Sequence, residues 1–140
     1  MKSLVTLIKL QKTKVDEQRV LLANLQKQLT DIQAQIDALM EQQAQQTAML
    51  RQEPALALNY DLYLKGAIKR LEEFEKRKRT VELAVNLARD KLAELFEEQK
   101  RYELAEKARL EEEEAEEQRR ETHILDEVGS VSFVRKKKKK

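Results

Sequence analysis

Apolar residues recur along this chain at alternating spacings of three and four. Such spacing keeps one narrow stripe turned toward a partner helix, which marks a coiled-coil seam rather than a globular core. The first stripe reads Leu4, Ile8, Val15, Leu22, Leu25, Leu29, Ile32, Ile36, Leu39 and Leu50. In one heptad frame Ile8, Val15, Leu22, Leu29, Ile36 and Leu50 are a positions, and Leu4, Leu25, Ile32 and Leu39 are d positions. Gln11, Gln18, Gln43 and Gln46 fill the remaining seam sites. Polar seam residues cost stability and fix register. The pattern predicts a first helix over about 3–52, with Ser3 as its candidate cap, on the order of 70 Å long.

The one proline, Pro54, disfavours helical geometry at Glu53 before it. A turn is therefore expected over about 53–59, with Asn59 and Asp61 as candidate N-caps of a second helix. The second stripe reads Leu64, Ala67, Leu71, Phe74, Val81, Val85, Ala88, Leu92, Leu95 and Tyr102, with Lys78 and Gln99 as polar interruptions. It holds one frame without a stutter and predicts that second helix over about 60–128. Gly129 and Ser130 are its expected end, and 129–140 is expected to be a disordered basic tail. Two seams joined at one break predict an all-α fold, a long antiparallel two-helix coiled-coil hairpin with an overshooting C-terminal helix.

Composition agrees with that architecture. Charged residues make up 39% of the 140 and aromatics 4%, against roughly 25% charged in ordinary globular domains. The net charge of +2 conceals local blocks. The start is basic, with Lys2, Lys9, Lys12, Lys14 and Arg19. The stretch from Glu94 to Glu121 is rich in acid, and Arg135 to Lys140 are all basic. Folding at about residue 56 sets Leu4 near residue 108 and Lys12 near Lys100. The basic start then meets acidic residues of the second helix, each exposed pair contributing only ~0.2 to 1 kcal/mol. No cysteine is present, which excludes disulfides and thiolate metal sites. No signal peptide and no apolar run of about 20 residues is seen.

Candidate chemistry is sparse. There is no Gly-rich phosphate loop, no metal-ligand constellation and no nucleophile motif, so no enzyme activity and no cofactor are expected. His123 stands alone, without a second ligand or a nucleophile near it in sequence. Tyr60, Tyr63, Leu64 and Phe74 gather near the break; they either anchor a partner or plug the end of the hairpin. Leu64 and Phe74 are seam residues, which leaves Tyr63 as the better contact candidate. Lys69, Arg70, Lys76, Arg77, Lys78 and Arg79 form a basic cluster. It reads as a solvated face paired with Glu72, Glu73 and Glu75, or as a site for an acidic surface or phosphates. No nucleic-acid partner is expected, because aromatics do not interleave with the bases.

Several features together resemble one family. MKSLVTLIKL, from Met1 to Leu10, opens the first helix, and Asn59-Tyr60-x-x-Tyr63-Leu64 opens the second. Arg119-Arg120-Glu121 is followed by Leu125-Asp126-Glu127. With the hairpin and its overshooting helix, these are similar to the flagellar export protein FliJ family; stalk proteins of virulence type III secretion systems share the shape. The resemblance implies a cytoplasmic component of flagellar type III protein export, peripheral at the inner face of the cell membrane. It implies that the paired N- and C-terminal ends sit in the central hole of a hexameric export ATPase. It implies further that the side near the bend contacts the cytoplasmic domain of the export gate, and that the protein helps recycle export chaperones. Carried over by position, the export-gate contact comprises Tyr60, Tyr63, Ala67, Arg70 and Phe74. The ATPase-ring contact comprises Lys2, Lys9, Lys12, Lys14, Glu97, Glu98 and Glu106. A monomer is expected; the rival is a generic dimeric coiled-coil scaffold with both seams paired between chains.

Overall fold

The computed structural model describes residues 2–53, 55 and 57–138. It holds two helices, α1 (Lys2–Gln52) and α2 (Ala57–Lys138), which pack against each other, and no strand among the described residues. The all-α, two-helix class expected from the heptads is the one observed. At 82 residues against 51, α2 is the longer helix.

Both boundaries of α2 differ from expectation. α2 begins at Ala57, so Asn59 lies inside its first turn and Asp61 just beyond it, and neither stands at the cap. The helix also passes through Gly129 and Ser130 to Lys138, where an end was expected. A lone helical glycine costs about 1 kcal/mol relative to alanine, which weakens a helix without stopping it, and no proline lies beyond it. α1 ends at Gln52, and the Glu53 N–H still closes onto the Met49 carbonyl at 3.0 Å. Pro54, read as the break, lies outside the described residues, as do Lys139 and Lys140 of the basic tail.

The chain divides into two compact units, one of Thr13–Phe96 and one of Met1–Lys12 with Glu97–Lys140. In the first, the core is Val15 and Ile36 of α1 with Ala67, Val85, Ala88 and Leu95 of α2. All six are seam positions. Other seam residues, among them Leu22, Leu25, Leu29, Ile32, Leu39, Leu71, Phe74, Val81 and Leu92, are half-buried. A pair of helices covers only a strip, so the flanks of each seam side chain stay wet. Apolar residues off the stripe, such as Leu83 and Leu87, remain exposed. Contacts between residues far apart in sequence establish the antiparallel sense. Gln18 Nε2 donates to the Ala88 carbonyl at 3.1 Å, and the Thr47 and Tyr60 hydroxyls bond at 2.8 Å. The Arg19 guanidinium lies over the Phe96 ring, 4.9 Å from its centroid.

In the second unit the start of α1 meets α2 through polar groups. Gln11, only 2% exposed, donates from Nε2 to Glu98 Oε2 at 3.4 Å. Glu98 Oε1 accepts from the Tyr102 hydroxyl at 2.9 Å. Gln99 donates to Glu103 at 3.0 Å, while its own Oε1 is buried without a partner. The heptad spacing continues past Tyr102 to Glu106 and Arg109. These half-buried residues form a forked ion pair, with Nη2 to Oε1 at 2.6 Å and Nε to Oε2 at 3.2 Å.

Register is set by the turn. The expected fold axis near residue 56 moves to residues 53–55, midway between the partners in each of the three hydrogen-bonded pairs across the helices. The cause is the early start of α2, which shortens the connection to the residues between Gln52 and Ala57.

Candidate interaction surfaces

Where α1 ends and α2 begins, Gln46, Met49, Leu50, Asn59, Tyr60 and Tyr63 line a half-open cleft of about 240 Å³. The Tyr60 and Tyr63 rings stand 6.4 Å apart at 33°. The Thr47 hydroxyl, which also donates to the Gln43 carbonyl at 2.9 Å, holds the Tyr60 phenol. The cleft exists because the seam loosens here. Gln43 and Gln46 occupy sites that leucine would fill, and two tyrosines lie across from them. Heptads end in polar residues while aromatics remain, so the apolar surface is left partly open.

The residues expected at the export gate occupy three kinds of position. Tyr60, Tyr63 and Phe74 are half-buried, Arg70 is exposed, and Ala67 is 7% exposed within the seam. Arg70 Nε donates to the Gly66 carbonyl at 3.3 Å, and the Arg77 guanidinium lies 5.5 Å from the Phe74 ring centroid. Ala67 sits behind this surface as a small seam residue. Sequence reasoning overlooked Leu62 and Met49. Leu62 is 74% exposed beside Tyr63, and Met49 lines the cleft. The signal for both was present: each is a large apolar residue off the heptad stripe, so each must be left facing solvent.

The basic cluster at 69–79 is partly engaged. Lys78 pairs with Glu82 at 3.8 Å, and Arg77 covers Phe74. Lys69, Arg70, Lys76 and Arg79 are exposed.

The residues expected at the ATPase ring also divide. Lys9, Lys12 and Glu97 are exposed, whereas Glu98 and Glu106 are half-buried and committed to Tyr102 and Arg109. In the other unit Lys14 is exposed. The side chain of Lys2 lies outside the described residues. The Arg109 guanidinium holds the Glu106 carboxyl below the usual glutamate range through its hydrogen bond. Glu106 in turn raises Arg109. The hydrogen bond to the Glu98 carboxylate, helped by burial, pushes the Tyr102 phenol above its ordinary value. The ion pairs of Arg109 with Glu106 and Glu113, of Arg119 with Glu112 and of Arg120 with Glu116 run along α2.

Among the described residues no group of three His, Cys, Asp or Glu side chains is placed to hold a metal ion, and no helix is long and apolar enough to cross a membrane. His123 pairs with Glu127 at 3.5 Å on an exposed face. The arrangement can bind partners through an aromatic cleft and through charged helix faces.

No characterised individual protein and no solved structure matches the chain significantly. The family model described as flagellar FliJ protein matches residues 1–138. That match covers both helices, both candidate surfaces and the motifs at Met1–Leu10 and Asn59–Leu64, and the chain therefore belongs to the FliJ family, whose members are flagellar type III export-related proteins.

Proposed function

We propose that this chain is the coiled-coil stalk between the hexameric flagellar export ATPase and the cytoplasmic domain of the export gate, and that it assists export chaperone cycling. The observation that carries this reading is the cleft at the helix connection. Tyr60 and Tyr63 stand beside Met49 and Leu50, with Leu62 bare next to them. Aromatic and methionine side chains on an otherwise charged scaffold suit a protein partner, because they supply large contact area at low entropic cost. The gate contact is then Tyr60, Tyr63, Arg70 and Phe74, with Ala67 supporting them from the seam. The ATPase-ring contact is Lys2, Lys9, Lys12, Lys14 and Glu97, with Glu98 and Glu106 holding the local packing.

A surface of alternating charge can touch several ring subunits in turn without adhering to one, since each exposed pair contributes little. The work is binding and transmission, carried out in the cytoplasm at the inner face of the membrane. Mixing the protein with its export ATPase should raise both hexamer formation and ATP turnover. Unchanged values of both would sink the proposal. Pull-down of the gate's cytoplasmic domain by wild type but not by a Tyr63→Ala variant tests the other contact.

A further inference from the structure

Beyond Arg109, α2 carries a second heptad stripe that the hairpin seam does not use. Leu110, Glu114, Glu117, Glu121, Ile124, Val128 and Val131 succeed one another at alternating spacings of four and three. In the sequence the same spacing continues to Arg135 and Lys138, and the helical backbone extends to Lys138. Ile124, Val128 and Val131 are 57%, 57% and 52% exposed, and Leu125 beside them is 70% exposed. The stripe therefore runs from acidic through apolar to basic along one helix.

We infer that this stripe pairs antiparallel with the same stripe of a second copy of the chain. A two-fold axis near residue 126 sets Ile124 against the second copy's Val128. It sets Val131 against Glu121, Glu117 against Arg135 and Glu114 against Lys138. Every pair joins one heptad site to its complementary site, as antiparallel coiled coils require. The acidic and basic blocks then meet at both ends, where a parallel pairing would oppose like charges. None of the ion pairs described along α2 uses Glu114, Glu117 or Glu121, so these carboxylates are open to a partner. An anionic lipid surface would suit Arg135 to Lys140 but would repel the acidic half of the same stripe, and so would a nucleic acid. A second copy satisfies both halves.

This pairing leaves the hairpin seam within each chain, unlike a scaffold whose two seams pair between chains. It stands independently of the stalk reading. The test is sedimentation of the full chain over a concentration series at low and high salt. Wild type should self-associate reversibly, with affinity falling about tenfold or more as screening sets in. Glu114→Lys with Glu117→Lys should be monomeric, and Arg135→Glu with Lys138→Glu should be monomeric. An equimolar mixture of these two variants should restore a one-to-one dimer, because positions 114, 117, 135 and 138 are then all basic in one stripe and all acidic in the other. Far-UV circular dichroism checks that each variant keeps its helices. A wild type that stays monomeric at low salt, or a mixture that does not pair, overturns the inference. So does wild type that stays monomeric yet pellets with phosphatidylglycerol vesicles in a manner abolished by Ile124→Asp, since that assigns the stripe to lipid.

Discussion

Gln18 reaches across the seam and donates from Nε2 to the backbone carbonyl of Ala88 at 3.1 Å, joining positions 70 residues apart in sequence. A glutamine at a d site gives up apolar burial, and in return its amide has a good partner in only one register. Ala88 is buried and small, which lets the amide approach the α2 backbone. The same trade recurs at Gln11, whose partner is the Glu98 carboxylate. Gln18→Leu should raise the urea midpoint, by about 1 kcal/mol in stability, while loosening register. Spin-label distances across the two helices should broaden in the variant. A clear loss of stability would show that the amide contributes more than the leucine would.

Seam and off-seam apolar residues should separate sharply. Ile36 is 4% exposed, so Ile36→Ala should cost about 2 kcal/mol or more. Leu83 lies off the stripe and exposed, so Leu83→Ala should stay within about 0.5 kcal/mol. Chemical denaturation of both variants decides it, and equal losses would place Leu83 in an unrecognised interface.

At the cleft, Tyr60→Phe removes the hydroxyl bonded to Thr47 and should cost about 0.5–1.5 kcal/mol of stability. Leu62→Ala should leave stability nearly unchanged, because Leu62 packs on little. It should weaken binding to the gate domain by about tenfold, equivalent to about 1.4 kcal/mol. Titration calorimetry against that domain is the measurement; unaltered affinity would remove Leu62 from the contact.

Stability should depend on pH at both extremes. Glu106 titrates below the ordinary glutamate value because Arg109 holds its anion. Its contribution is thus present above that ordinary value and is lost as pH falls through the depressed one. Glu106→Gln should flatten the acid limb of a plot of urea midpoint against pH. Tyr102 titrates above the ordinary tyrosine value because Glu98 holds its neutral phenol. Its contribution is present below about pH 10 and is lost as pH rises through the elevated value. Tyr102→Phe should flatten the alkaline limb. An unchanged slope in either variant would mean that the corresponding contact does not persist in solution.

The helix through Gly129 gives a direct check. A Cβ built at Gly129 meets nothing within 4 Å, and α2 continues on both sides. Gly129→Ala should therefore add helicity and about 0.5–1 kcal/mol of local helix stability. No change in ellipticity would favour a chain that is not helical there.

Much of the fold was readable from spacing alone. Val15, Ile36, Val85, Ala88 and Leu95 are buried because the three-four rhythm puts them on one line, and a line of apolar side chains can be covered only by another helix. The ends of the helices were less readable. Asn59 and Asp61 have the chemistry of caps but sit within α2, and Gly129 has the chemistry of a stop but is crossed. Local preferences of about 1 kcal/mol do not override a helix already propagating from both sides.

The candidate surfaces were partly legible. Tyr60 and Tyr63 stood out as aromatics in a sparse chain, whereas Leu62 and Met49 blended into a helix rich in such residues. Glu98 and Glu106 were expected at the ring contact, yet they hold Tyr102 and Arg109 one turn further along α2, because charge on a helix says nothing of which neighbour it is committed to.

By itself, then, the amino-acid order determined that this chain forms two helices with one seam each and no globular core, since periodicity is a property of one strand of sequence. The tertiary structure alone decided the register, the cleft and the polar closure at Gln11, Glu98 and Tyr102. Those depend on the length of the connection between Gln52 and Ala57, which sets what each residue meets on the other helix.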